Sequence, residues 1–288
     1  MALPVRPWTM EILELAPHFG SIFWRLGQAI AGLPTRGDKA YRYIEVFLWK
    51  FIDHFSSAVH LAQGTRFPGI GSTFLDMSSI NLIVRASWEC HLTMSYLYIQ
   101  SKSKDETRMR FWSWFLNGLR DRQKATPFDE DTRRKHEAER AQIADIINDL
   151  RENPAYGALP PKRQKAILKG EWRRPLSWST IAKDAGYSDF LADQFYGFLS
   201  HYAHSGSGSL VQLADLPTES DARRLLNSSL RLLLCFAAHV ARDFCTAINV
   251  PTVRLSDEEQ RFLAWLLKLA ATSPAPKTAA PGASVVTE

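Results

Sequence analysis

Residues 41–63, YRYIEVFLWKFIDHFSSAVHLAQ, carry Tyr43, Ile44, Phe47, Leu48, Phe51, Phe55 and Val59 at intervals of one, three or four. That period describes one face of a helix and not the alternation of a strand. Asp38 is the candidate N-cap of this helix, and Gly64 closes it. Residues 74–100, FLDMSSINLIVRASWECHLTMSYLYIQ, are apolar around most of a helical circumference. They predict a central helix with Ser72 as its cap.

The same signals recur outward from this pair. Ser103 and Glu106 form a capping-box pattern before RMRFWSWFLNGLRDRQK. Asp129 or Asp131 opens a highly charged helix over 129–153. Its apolar residues Ile143, Ile146, Ile147 and Leu150 lie only in the second half. The first half, DTRRKHEAER, is expected to project into solvent. Pro160-Pro161 starts a basic segment, KRQKAILKG, and WRRPLSWST leads into a short helix, IAKDAG. Ser188 or Asp189 caps LADQFYGFLSHYAH, which stops at SGSGS. Thr218 with Asp221, and Ser256 with Glu259, open the last two helices.

No internal repeat and no alternating strand pattern is found. The expectation is all-α: an antiparallel helical bundle of about eight to ten helices, forming a single domain over 1–271. Residues 272–288, TSPAPKTAAPGASVVTE, are too rich in Pro, Ala and small residues to offset the entropy of ordering. They are expected to be a disordered C-terminal tail.

Composition limits the function classes. With 288 residues, 45% hydrophobic and 23% charged, the chain is neither disordered, collagen-like nor a disulfide scaffold. Three widely spaced Cys fit a reducing compartment. MALPVRPWTMEILEL lacks the apolar run of an export signal. The most apolar helix, over 225–250, is interrupted by Arg231, His239, Arg242 and Asp243. A cytoplasmic protein with no membrane partner is expected. The net charge is +5, yet residues 102–174 hold 18 Lys and Arg against 12 Asp and Glu, while the remainder holds 17 against 18. The positive excess therefore sits in one middle segment, which favours RNA or another polyanion as partner.

Two constellations carry candidate chemistry. Arg85 and Glu89, four apart on an apolar helix, meet on one face and must be compensated there. They read either as an internal ion pair fixing the bundle or as part of a polar pocket. Stranding such a charge by removing its partner costs about 3–5 kcal/mol when the pair is buried. Tyr196, Ser200 and His204, spaced four and four, form a polar stripe about 12 Å long. A phenol, a hydroxyl and an imidazole can exchange protons near neutral pH. Facing the two stripes together satisfies both at once.

A third group, Lys162, Arg163, Lys165, Lys169, Arg173 and Arg174, combines with Trp172 and Trp178. Basic charge grips phosphates and Trp stacks on unpaired bases. No metal motif or phosphate loop is present. Cys235 and His239 read as core, and no metal or cofactor is expected.

IVRASWECHLTMSYLYI, LSWSTIAKDAGY and FYGFLSHYAHSGSGSL together resemble an uncharacterised family of bacterial helical proteins, a domain of unknown function, over about residues 72–215. The resemblance implies that Arg85, Glu89, Tyr196, Ser200 and His204 are signature positions, and it implies no activity. FLSHYAHSG is also distantly similar to the HEPN ribonuclease superfamily, helical bundles that include abortive-infection and toxin nucleases. Their motif has an Arg, then four to six intervening residues, then the His on one helix. Here positions 197–199 are Gly, Phe and Leu, so the likeness implies that Arg85 supplies the cation from a neighbouring helix.

Two readings follow. The first is a helical interaction or ligand-binding module of a bacterial defence or stress system, with a polar pocket inside the bundle. A protein partner or a homodimer belongs to this reading. The second is a metal-independent ribonuclease or nucleotide-targeting enzyme. There His204 is the general acid or base, Arg85 stabilises phosphorane charge, Glu89 orients Arg85, and Tyr196 and Ser200 position substrate.

Overall fold

The computed structural model describes residues 12–31, 39–66, 69, 73–204, 206–215, 218–248 and 255–272. Asp38, Ser72 and the tail from 273 onward lie outside the described residues. The chain runs α1 (Ile12–Ala31), α2 (Lys39–Ala62), β1 (Thr65–Arg66), β2 (Thr73–Phe74) and α3 (Met77–Met94). A π-helical segment, π1 (Ser95–Ile99), leads to α4 (Lys104–Arg122), α5 (Glu130–Glu152), α6 (Pro154–Gly157), α7 (Pro161–Leu168) and α8 (Trp178–Asp184). A second, π2 (Leu191–Phe195), precedes α9 (Tyr196–Ala203), α10 (Ser207–Ala214), α11 (Glu219–Ile248) and α12 (Asp257–Ala271). The fold is the expected all-α bundle. Five of its twelve described α-helices have eight residues or fewer.

The apolar stripe of α2 faces inward as its period requires, with Ile44, Phe47, Leu48, Phe51 and Phe55 buried. It packs on α3, which also packs on α11, so α3 is central. Phe19, Phe51, Trp88, Phe111, Phe236 and Phe244 fill this core without exposure. A second cluster, Met109, Leu116, Leu119, Ile146, Leu150, Tyr156 and Ile167, binds α4 to α5, α6 and α7. Helix α4 serves both cores, since Phe111 belongs to the first.

The caps at Ser103, Asp129 and Ser256 form as expected, each accepting a hydrogen bond from a backbone N–H of the first turn, and Ser177, which the sequence reading did not single out, caps α8 in the same way. Two expectations are corrected. Helix α3 begins later, at Met77 with Asp76 as cap, because residues 73–74 pair antiparallel with 65–66. Gly64, at φ +106°, turns the chain out of α2 into this short ribbon, a conformation that penalises any Cβ. The SGSGS loop is also shorter than expected, since α10 starts at Ser207. A Cβ at Gly206 would crowd the exposed His201 ring, so any larger residue in the turn after α9 requires that ring to shift.

Only Ile146 and Leu150 of α5 are buried. The first half is tied to α4 by Arg122 Nε donating to Glu139 Oε1 (2.6 Å) and by Gln123. Among the described residues, no helix is long and apolar enough to cross a membrane.

Candidate functional site

Arg85 and Glu89 stand one turn apart on α3, and α9 packs across that face. Arg85 Nε donates to Glu89 Oε1 (3.1 Å), and Arg85 Nη2 donates to the Tyr196 hydroxyl (3.1 Å). Arg85 Nη1 lies 3.4 Å from His204 Nε2. A guanidinium only donates, so this imidazole nitrogen is the acceptor of that contact. The guanidinium also sits 5.1 Å from the Tyr196 ring centroid. Ser200 lies between Tyr196 and His204 on the same stripe, half-buried, and its carbonyl accepts the His204 backbone N–H (3.1 Å).

The two stripes therefore meet, but at the surface. Arg85 is 14% exposed and Glu89 34%, while His204 is exposed at the C-cap of α9. The expected pocket inside the bundle is instead a surface cluster. The cause is local: α9 ends at Ala203, and its last polar residue lies past the packed part of the helix.

The basic group divides around one segment. Lys162, Arg163, Lys165, Lys169 and Arg174, with Glu171, line an open cavity of about 1,040 Å³ whose apolar lining includes Tyr96, Ala166, Pro175 and Leu176. Arg163 also has a structural task, donating to the Glu171 carbonyl (2.7 Å) and to the Trp172 carbonyl. Arg173 faces the other way. Its guanidinium lies 4.4 Å from the Trp178 centroid, and Trp178 lies 6.4 Å from Tyr196. Burial pulls the Arg173 pKa down, while the charges of Tyr196 and Glu89 oppose that shift. Residues 171–178 thus border the cavity on one side and the Arg85 cluster on the other.

A second polar network, missed by the sequence reading, lies inside the core. The Tyr187 hydroxyl, its pKa raised mainly by burial, donates to His91 Nδ1 (3.0 Å), and His91 Nε2 donates to Asp243 Oδ2 (2.9 Å). Arg242 Nε donates to Asp243 Oδ1 (2.7 Å), and its Nη2 donates to His239 Nδ1 (3.0 Å). His239 Nε2 is buried with no partner among the described residues. Burial, followed by the neighbouring His91 and Arg242, lowers the His239 pKa to about 2. His91, His239 and Asp243 form a possible ligand triad, with ligand atoms within 4.8 Å. Arg242 already supplies a cation to Asp243 and His239, so the network reads as a structural tie between α3 and α11. The signal in the sequence was His239 and Asp243, four apart on an apolar helix.

An all-α bundle with a surface Arg–Glu–Tyr–His cluster has no single established chemistry. Residues 46–222 match the family of unknown function DUF5677, and the chain belongs to that family. The match contains both site-bearing helices and the whole basic segment. No curated protein and no solved structure matches this chain.

Proposed function

We propose that this protein is a ligand-binding module for a phosphate-bearing polyanion, single-stranded RNA foremost. The observation that carries the reading is the position of residues 171–178. Arg174 lines a cavity with four other cations, and Arg173 leans on Trp178 beside Tyr196 and Glu89. A strand gripped by its phosphates at Lys162, Lys165, Lys169 and Arg174 has the Arg85 cluster adjacent to it. The test is retention of a short single-stranded RNA by the full chain at low and moderate salt. Binding that weakens steeply with salt supports the reading; no retention at low salt overturns it.

A second reading is favoured by the exposure of His204 beside Arg85. It is metal-independent phosphodiester cleavage. His204 takes or gives the proton of the ribose 2′-hydroxyl or the leaving oxygen, and Arg85 stabilises the phosphorane charge. Glu89 holds Arg85, while Tyr196 and Ser200 position the strand. The bacterial defence or stress setting rests on the likeness of FLSHYAHSG alone. A protein partner or second copy finds support in the exposed Trp24 and Trp49, which line an apolar groove between α1 and α2.

A further inference from the structure

Among the described residues, Glu89 is the one carboxylate in a cluster otherwise made of Arg85, Arg173, His204, Tyr196 and Ser200. A third of this side chain is exposed, and only Oε1 is engaged, by Arg85. Oε2 makes no hydrogen bond or ion pair among the described residues. A carboxylate that merely held Arg85 would need one oxygen, and a site that only gripped phosphate would be weakened by an open acid. The free oxygen has a use if the ligand brings N–H donors as well as phosphates.

Nucleobases differ sharply in this respect. Guanine presents two adjacent donors, N1–H and the N2 amino group, on its Watson–Crick edge. Adenine and cytosine set an acceptor nitrogen beside their amino group, and uracil sets one N–H between two carbonyls. A carboxylate pairs with guanine through both oxygens and is repelled by the acceptors of the others. Arg85 over Tyr196 and Arg173 over Trp178 add flat cationic surfaces on which a purine stacks. Resting on the polyanion reading above, we infer that the Arg85 cluster reads an unpaired guanine. Glu89 accepts from N1–H and N2–H, and the surrounding cations hold the flanking phosphates.

The experiment uses the full chain and fluorescently labelled ten-nucleotide RNAs at one fixed salt concentration. One strand is all uridine, one carries a single central guanosine, and one carries inosine there, which lacks the N2 amino group. The guanosine strand is expected to bind about tenfold tighter than the uridine strand, as for a bidentate base contact, with inosine between them. Glu89→Gln, which replaces one acceptor by a donor, is expected to bring the guanosine-to-uridine ratio to about one. Equal wild-type affinity for the guanosine and uridine strands overturns the guanine assignment alone. An undiminished preference in Glu89→Gln removes Glu89 as the reader. Failure of every strand to bind overturns the polyanion reading beneath it.

Discussion

Arg85 and His204 are separated by 119 residues in the chain and by 3.4 Å in the fold. One is anchored in α3, the most enclosed helix of the bundle; the other sits at the open end of α9. Strand binding is therefore expected to weaken in both Arg85→Ala and His204→Ala, measured by anisotropy with circular dichroism unchanged. If the site cleaves RNA, either change lowers the rate by about 10²- to 10³-fold. Wild-type binding and cleavage in both variants would remove this pair from the function.

Glu89→Ala tests how structural the ion pair is. The expectation for a buried pair was about 3–5 kcal/mol. With Glu89 one-third exposed, and Arg85 retaining Tyr196 and His204, the loss is expected to be about 1 kcal/mol. Urea denaturation measures it.

Charge reversal in α7 and at its C-cap, Lys169, tests the grip on phosphate. Lys162, Lys165 and Lys169 are exposed, whereas Arg163 bonds the 171–172 backbone and should be left in place. Lys162→Glu, Lys165→Glu and Lys169→Glu together should weaken RNA retention and flatten the dependence of log affinity on log salt. The slope change is about 0.7 per lost contact on a single strand. An unchanged slope assigns the contacts elsewhere.

Stability should fall in mild acid because of His239. Its folded pKa lies far below the unfolded value, so the unfolded chain binds the extra proton first. The contribution is fully present above about pH 6.5 and is lost as pH drops toward the folded pKa, at up to about 1.4 kcal/mol per pH unit. Urea midpoints between pH 7 and pH 5 should show this slope, and His239→Asn should flatten it.

Hydrogen exchange should divide α5. Residues 143–152 carry its buried Ile146 and Leu150, whereas 130–142 contribute no buried side chain. Amides of the first half are expected to exchange at least tenfold faster. Uniform protection along α5 would mean that this half is covered in solution.

Much of this was legible in the sequence because it is local. The α2 period, the Ser103, Asp129 and Ser256 caps, and the apolar half of α5 each depend on residues within a few turns. The Arg85–Glu89 contact is of the same kind, and the meeting of its stripe with Tyr196 and His204 followed from the need to satisfy polar groups on core helices. The exposure of His204 was not legible, since it depends on where α9 stops against α3. Nor was the Tyr187–His91–Asp243 chain, whose members come from three distant segments; of these only Asp243 stood out in the sequence, as a break in an apolar helix. The β1–β2 ribbon is too short to produce an alternating pattern.

Both site-bearing helices adjoin a π-helical segment: π1 follows α3, and π2 immediately precedes α9. Each residue in a helix turns the following face by about 100°, so π2 sets the phase at which Tyr196, Ser200 and His204 emerge. Removing one residue from Leu191–Phe195 would leave the composition and length of α9 intact. It would also swing its polar stripe about a quarter-turn away from Arg85. Single-residue insertions and deletions in this five-residue stretch should therefore be far less tolerated than point substitutions at its exposed positions, Asp193 and Gln194.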